Sequence, residues 1–461
     1  MSAPLHVIVL AAGQGKRMRS AHPKVLQKLG GRPLLEHVLS LAARLDAAKV
    51  TVVYGHGGED VRAWGAGTPV DWVLQDPPRG TGDAVRKVLL PEPKATPNGP
   101  GVALILYGDV PLLQPSSLQP LIAAARAGHL ALLTQELADP TGYGRITRTP
   151  AGAVTGIVEH KDATPGQRAI REVHTGILAA PETELASWVA TLNCQNAQQE
   201  YYLTDVVASA AKAGKQVLTF QPGHAWEADG INDPVQLARL ERTWQHHQAT
   251  ELLRAGVRLA DPARIDIRGK LQTGRDVEID IGCVFVGTVE LGDEVVIEPY
   301  CMLTDCTVAA GAHIRAYSHL EGASVGAGAV VGPYARLRPG TTLAAEVHIG
   351  NFVEVKNSHI GHASKANHLS YVGDSDVGSR VNIGAGVITC NYDGANKHRT
   401  IIGDDAFIGS DAQLVAPVTV GRGATIGAGT TLVSDAPPDR LTLSRANQHT
   451  SARWSRPQKK R

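Results

Sequence analysis

Two rhythms of apolar positions divide this chain. From His6 to about residue 230, short apolar runs alternate with amphipathic stretches. HVIVLAA at 6–12, VTVVY at 50–54 and VALILY at 102–107 read as strands, whereas residues 33–44 and 118–127 carry helical spacing. Strands that are apolar at consecutive positions and separated by helices predict a parallel sheet covered on both faces. Ligands of such sheets gather at the carboxyl ends of the strands.

From Ile279 a period of six takes over. Ile279, Phe285, Leu291, Ile297 and Leu303 form one run, and Val325, Val331, Leu337, Leu343, Ile349 and Val355 a second. Ile402, Ile408, Leu414, Val420, Ile426 and Leu432 form the third, and Gly often follows the aliphatic position, as at Gly326, Gly350, Gly403 and Gly427. A helix repeats at 3.6 and a strand at 2, so neither explains six. Three short strands per coil do, stacked as a parallel β-helix of hexapeptides whose aliphatic side chains point inward. One coil cannot bury its own inner face, so many must stack. The rhythm slips near residues 357–376 and 392–400, where loops are expected. Between the two patterns, residues 235–255 read as one mostly exposed helix, about 30 Å long at 1.5 Å per residue. The expected organisation is an α/β, Rossmann-like domain at 1–234, a linker helix at 235–255 and a β-helix domain at 256–461.

A length of 461 residues fits two or three domains. Lys and Arg number 45 against 44 Asp and Glu, a formal charge of +1, which argues against nucleic acid or anionic membrane as a partner. Only residues 456–461, RPQKKR, form a short basic tail. The N-terminus has no basic region before its short apolar run, and no stretch of about 18 apolar residues exists, so neither a signal peptide nor a membrane span is expected. The five cysteines show no CxxC pairing. They read as buried free thiols of a cytoplasmic protein, with no zinc.

LAAGQGKR at 10–17 follows the first strand. Gly13 and Gly15 let backbone N–H groups approach an anion, and Arg17 and Lys24 add positive charge. The third Gly of a dinucleotide fingerprint is missing and the spacing is not that of a Walker loop, so a simple tight turn stands as an equal reading. Asp109 ends a strand in Tyr107-Gly108-Asp109, where a Mg²⁺ site needs a hard carboxylate oxygen.

Taken with Pro23-Lys24 and YGDVP at 107–111, these motifs resemble the sugar nucleotidyltransferases. Gln75, GTG at 80–82, DPTGYGR at 139–145, GIVEHK at 156–161, EYYLTD at 200–205 and Asn232 are similar to the uridylyltransferase half of bacterial bifunctional enzymes making UDP-N-acetylglucosamine. By that resemblance Leu10, Ala11, Ala12, Gly13 and Gln75 hold the uracil and ribose of UTP, Gly80 and Thr81 read the base, and Tyr107 and Gly108 line the site. Arg17 and Lys24 serve the phosphates as catalytic cations, Gly144 and Glu159 the sugar, and Asp109 with Asn232 the Mg²⁺. Two positions depart from the family: Lys16 replaces its usual Thr, and His174 its Asn. Neutral His still offers one donor and one acceptor, so sugar binding is expected to survive.

Among 18 histidines, His368 falls where the six-residue rhythm breaks, and so is expected in a loop. A coil of about 18 residues stacks Arg338 on Lys356, and Asn391 roughly on Ser410. Two stacked cations on a nearly neutral chain point to a phosphate ligand. GNFVEVK at 350–356, NIGAG at 382–386 and NYDGANK at 391–397 resemble the acetyltransferase half of the same family, across essentially its whole length. The resemblance implies acetyl transfer from acetyl-CoA to the amine of glucosamine 1-phosphate, with His368 as general base and Asn391 orienting it. Arg338, Lys356, Tyr371 and Asn382 would hold the sugar phosphate; Ala385, Asn391, Tyr392, Ser410, Ala428 and Arg445 would line the coenzyme A groove. It also implies a left-handed coil, a homotrimer with these sites between protomers, and a product that feeds peptidoglycan and lipid A synthesis. Two other readings share the domain order. A nucleotidyltransferase using its β-helix only for assembly, as ADP-glucose pyrophosphorylases do, should lack His368 beside Lys356. A regulator akin to nucleotide-exchange subunits of a translation initiation factor should lack Lys24 and Asp109. All four residues are here.

Overall fold

The computed structural model describes residues 3–13, 15–55, 58–90, 101–457 and 459. Two compact units meet in sequence between Trp244 and Gln245. The first is built on nine strands: β1 (Leu5–Ala11), β2 (Lys49–Gly55), β3 (Asp71–Gln75), β4 (Val102–Tyr107), β5 (Leu130–Glu136), β6 (Gly144–Arg148), β7 (Val154–Val158), β8 (Glu172–Pro181) and β9 (Val217–Phe220). Their order is β9-β5-β8-β4-β1-β2-β3, with β6 paired to β8 and β7. Central β1 lies parallel to both β2 and β4. The winding reverses between β1 and β4, so their carboxyl ends open a crevice.

All seven residues of β1 are buried, and alternate ones feed two cores. Val7, Val9 and Ala11 join one, Ile8 and Leu10 the other. Helices Leu34–Arg44, Thr81–Leu89, Pro115–Arg126, Glu182–Ala190 and Asp205–Lys212 accompany the strands. The sheet is not wholly parallel as expected: β8 runs antiparallel to β4 and β5. Its residues 177–180 are fully buried. Burial on both faces sets an apolar run, and direction leaves no trace in it.

In the second unit each coil adds one rung to each of three faces. Ile279, Ile297, Ile314, Val331, Ile349, Ala366, Ile383, Ile408 and Ile426 are successive partners on one face. Leu303, Leu320, Leu337, Val355 and Val372 stack on the second. Val308, Val325, Leu343, Ile360, Val377, Ile402 and Val420 stack on the third. Every residue of the three period-six runs is at most 4% exposed, so the repeat is the packing repeat.

Apart from one longer coil, most successive rungs differ by 17 or 18 residues. The slip at 357–376 is therefore one residue absorbed at a corner, and no loop protrudes there. Lys365–His368, Tyr371–Gly373 and Ser375–Val377 are strands, so the loop expected around His368 is absent. The second slip does make a loop. The coil from Ile383 to Ile408 takes 25 residues against 17 from Ala366 to Ile383, and the surplus turns back through a Tyr392–Lys397 bridge.

Helix Pro234–Arg254 crosses the boundary between the units. It is less exposed than its mixed sequence implied. Leu240, Gln245 and Ala249 are buried, with Leu237, Trp244 and Leu252 half-buried on the same helical stripe. Within the second unit the Gln245 amide donates to the Ile267 carbonyl at 2.8 Å and accepts from its N–H at 2.7 Å. Ile265–Thr273 pairs with a neighbouring rung on one side only, and the amide satisfies part of its open edge. Of the cysteines, Cys283, Cys301 and Cys306 are buried, Cys390 is half-buried, and Cys194 departs from expectation by being exposed. Among the described residues no helix is long and apolar enough to cross a membrane.

Candidate functional site

At the end of β1 the chain makes the Gly turn, continues into a single 3₁₀ turn at Lys16–Met18, and returns past Lys24. Gly15 adopts φ 59°, and a Cβ there would stand 2.7 Å from the Lys24 Cβ. Only glycine fits both demands. Leu10 and Ala11 are buried in β1, Ala12 is half-buried, and Gly13 is exposed with open space around it. Arg17 is exposed and makes no ion pair among the described residues.

Across the switch point, Gly108 donates to the Leu10 carbonyl at 3.0 Å, which sets the end of β4 beside the end of β1. Ile231 N–H donates to the Asp109 carbonyl at 2.9 Å, and this brings the next residue, Asn232, to the same place. The Lys24 ammonium donates both to the Asp109 carboxylate and, at 3.3 Å, to Asn232 Oδ1. Two hard oxygens thus converge on one cation. One carboxylate and one amide oxygen form a sparse set that suits Mg²⁺ completed by water and phosphate oxygens.

Tyr107 joins this cluster to the rest of the crevice. Its hydroxyl bonds Thr81; burial first, then the carboxylates of Glu159 and Asp109, push its pKa up, so it stays a proton donor. Gln75 is buried and donates to Gly80 O and Asp83 Oδ2, both at 2.9 Å. Its carboxamide N–H bonds therefore brace the Gly80 turn. Gly80 adopts φ 103°, with a Cβ there facing the Tyr201 carbonyl at 2.7 Å. Gly144, Glu159 and His174 come together through strand pairing. Gly144 is the register partner of His174, and Glu159 follows β7, which pairs β6. Burial raises the Glu159 pKa although Thr204 donates to its carboxylate at 2.9 Å.

His174 is 6% exposed, and among the described residues its Nδ1 has no hydrogen-bond partner. Burial pushes its pKa down to about 4, outweighing the nearby carbonyls of Gly176 and Leu133. In the unfolded chain the ring titrates near 6.5, so as pH falls from there towards 4 the unfolded state takes up a proton that the folded state refuses. Stability is lost across that window. Between pH 7 and pH 5 the loss is about 2 kcal/mol, and His174→Asn should remove it. The check is the shift in urea midpoint between the two pH values, variant against parent.

In the β-helix His368 ends the strand Lys365–His368 and is exposed. Its register partner is Asn351, whose Oδ1 lies 3.0 Å from His368 Nδ1. An amide oxygen accepts, so Nδ1 carries the proton and Nε2 keeps its lone pair. Register continues the column from His368 to Ala385, Ser410 and Ala428. Arg445 reaches back to the same column, with Nε donating to the Ala428 carbonyl at 2.9 Å.

The other expected residues lie elsewhere. Arg338 stacks on Lys356 at the far end of the second face, where Lys356 is the register partner of Gly373 in the strand Tyr371–Gly373. Arg338 pairs with Glu354 at 2.8 Å. Within the chain the ring's partner is Asn351, whereas Asn391, expected to orient it, lies at this far corner. Asn391 donates to Asp374 and, at 3.5 Å, to the Tyr371 hydroxyl. Nor does Asn391 stack on Ser410: the 25-residue coil shifts them to different corners. Asn382 stands earlier on the His368 face, against Lys365. Tyr392 stands exposed in the loop beyond Asn391.

Sequence reasoning missed Lys397, carried on that same loop. Its ammonium lies against Lys356 and is the leading cause of a lowered Lys356 pKa. It also missed an aromatic ladder. Tyr300, Tyr317, Tyr334 and Phe352 stack with centroids 5.2, 4.9 and 5.4 Å apart. All four are exposed, and the ladder leads to Leu369, 63% exposed and next to His368. Its signal was the aromatic spacing of 17 or 18, hidden because every member has positive φ and sits off the inward positions.

A switch-point crevice with a cationic turn and an acid-ended strand, joined to hexapeptide coils bearing an open imidazole, defines a nucleotidyltransferase fused to a hexapeptide transferase. Residues 7–176 match the MobA-like NTP transferase domain, 267–360 the GMPPB C-terminal domain, and 399–434 the bacterial transferase hexapeptide (six repeats). Over 457 residues the chain is 57% identical to a protein of Aromatoleum aromaticum named Bifunctional protein GlmU, covering 99% of each. A protein of that name from Bordetella parapertussis is 58% identical, over 99% of this chain and all of its own. One from Herminiimonas arsenicoxydans is 56% identical over 99% of each. The chain belongs to the GlmU family.

Proposed function

We propose that this chain makes UDP-N-acetylglucosamine in two steps in the cytoplasm, acetylating glucosamine 1-phosphate in its second unit and uridylylating the product in its first. The observation that carries the acetyl-transfer step is the His368 ring. Nδ1 is tied to Asn351 and Nε2 is left free on the column of Ala385, Ser410, Ala428 and Arg445. Acetyl-CoA lies along that column. Arg338, Lys356 and Lys397 hold the sugar phosphate, whose charge relieves the repulsion between the two lysines. Tyr371 and Asn382 contact the sugar. Nε2 takes a proton from the ammonium of the substrate, and the amine lone pair attacks the thioester carbonyl. The C–N bond forms as the C–S bond breaks, the nitrogen gives up its second proton, and the thiolate leaves as the thiol by taking up that proton.

One chain carries the imidazole and the cations at opposite edges of a face, so neither edge alone makes a site. A homotrimer that sets one chain's imidazole column against a neighbour's cations completes it. The exposed ladder running to Leu369 is the apolar surface on which such a neighbour would seat. Asn391 and Tyr392 then approach the coenzyme from the far corner. The basic tail also belongs to this assembly, although its residues 458, 460 and 461 lie outside those described.

In the first unit Gly80 and Thr81 face the uracil, with Leu10 to Gly13 and Gln75 along the nucleoside. Glu159 accepts from a hydroxyl of the sugar beside Gly144 and His174. A phosphate oxygen of N-acetylglucosamine 1-phosphate attacks the α-phosphorus of UTP in line, and the bond to the pyrophosphate oxygen breaks. Arg17, Lys16 and Lys24 neutralise the charge. Mg²⁺, held by Asp109 and Asn232, would supply further neutralisation at the phosphate oxygens when bound.

A two-product assay tests the scheme. From glucosamine 1-phosphate and acetyl-CoA, free thiol should appear without UTP. Pyrophosphate from glucosamine 1-phosphate and UTP should require acetyl-CoA, whereas N-acetylglucosamine 1-phosphate should yield it directly. Pyrophosphate released from unacetylated sugar at the same rate would overturn the order.

A further inference from the structure

We infer that Lys24 is a built-in cation that closes the Asp109–Asn232 oxygen pair until a triphosphate draws it away, so that divalent metal and nucleotide load together. This rests on the metal site proposed above. The ammonium donates to both oxygens that would hold the metal, and two cations cannot share one position between them. The ion pair is sheltered, its side chains only 11% and 18% exposed, so water does little to loosen it. The oxygens themselves are pinned. Asp109 is tied through its carbonyl to Ile231 N–H, and Asn232 N–H donates to Gln236 Oε1 at 2.7 Å. The movable partner is the four-carbon lysine stem.

That stem already touches the anion turn, since it fills the space beside Gly15. A triphosphate seated on the turn therefore arrives next to Lys24 and offers it more negative charge than one carboxylate. Release of Lys24 to the phosphates opens the oxygen pair at the moment a metal is needed. Without nucleotide, the affinity for metal is reduced by the fraction of molecules whose oxygen pair is open. By linkage, metal in turn favours nucleotide.

The test is Mn²⁺ binding to the full chain without nucleotide, followed by the electron paramagnetic resonance signal of free Mn²⁺. Lys24→Met should bind at least about tenfold tighter than the parent, whereas Lys24→Arg, still cationic, should stay as weak. A second neutral variant, Lys24→Gln, should repeat the gain, and Asp109→Asn should abolish the site in either background. Equal or weaker Mn²⁺ affinity in the neutral variants, with a site that Asp109→Asn removes, overturns the inference and leaves the metal site standing. If Asp109→Asn changes Mn²⁺ binding in no background, the metal site falls and the inference with it.

Discussion

Replacing His368 by Ala should slow acetyl transfer roughly 10²–10⁴-fold, the usual worth of a positioned general base. The substrate amine is protonated near neutral pH and attacks only after losing that proton, and the free Nε2 is the group placed to receive it. Because the ring supplies proton transfer and little binding, the loss should fall on kcat, with KM for acetyl-CoA nearly unchanged. Pyrophosphate release from N-acetylglucosamine 1-phosphate and UTP should stay at the parent rate. Asn351→Ala frees the tautomer and ring orientation without removing the base, so it should lie between parent and His368→Ala. Steady-state rates of thiol and pyrophosphate release check all three. A full acetyl-transfer rate in His368→Ala would remove the imidazole from the reaction.

Asp109→Ala should have the complementary effect. It removes the carboxylate that pairs with Lys24 at the end of β4, and with it the anchor of the charge facing the triphosphate. Loss of one such electrostatic element costs roughly 10²–10³ in kcat. Raising Mg²⁺ should not restore the rate, and thiol release should be untouched. The neighbouring Tyr107 loses one of the two carboxylates that push its pKa up, but burial, the larger cause, keeps it protonated.

The inward positions were readable because a stacked coil repeats a single physical demand, an apolar side chain every sixth residue. The motif-bearing turns were readable because Gly15 and Gly80 satisfy constraints no other residue meets. Direction was not readable. Residues 177–180 of the antiparallel strand β8 are as buried as the parallel strands of the sheet, because burial alone writes that pattern. Lateral contacts in the β-helix were misread wherever coil length was taken as constant. A one-residue deficit put Asn351 beside His368, and the long coil at 391–399 carried Asn391 to another corner and Lys397 onto Lys356. Gln245 shows the same gap between pattern and contact, since a polar residue on a helix stripe gives no sign that it completes a sheet edge.

The division of labour between the two units is tested most directly by mixing His368→Ala and Asp109→Ala proteins and supplying glucosamine 1-phosphate, acetyl-CoA, UTP and Mg²⁺. Each variant alone should make almost no UDP-N-acetylglucosamine, the first for want of acetylated sugar and the second for want of uridylyl transfer. The mixture should make it readily, because the acetylated intermediate formed by one protein is free to reach the other. A mixture as inactive as its components, with both proteins folded, would contradict two separable sites.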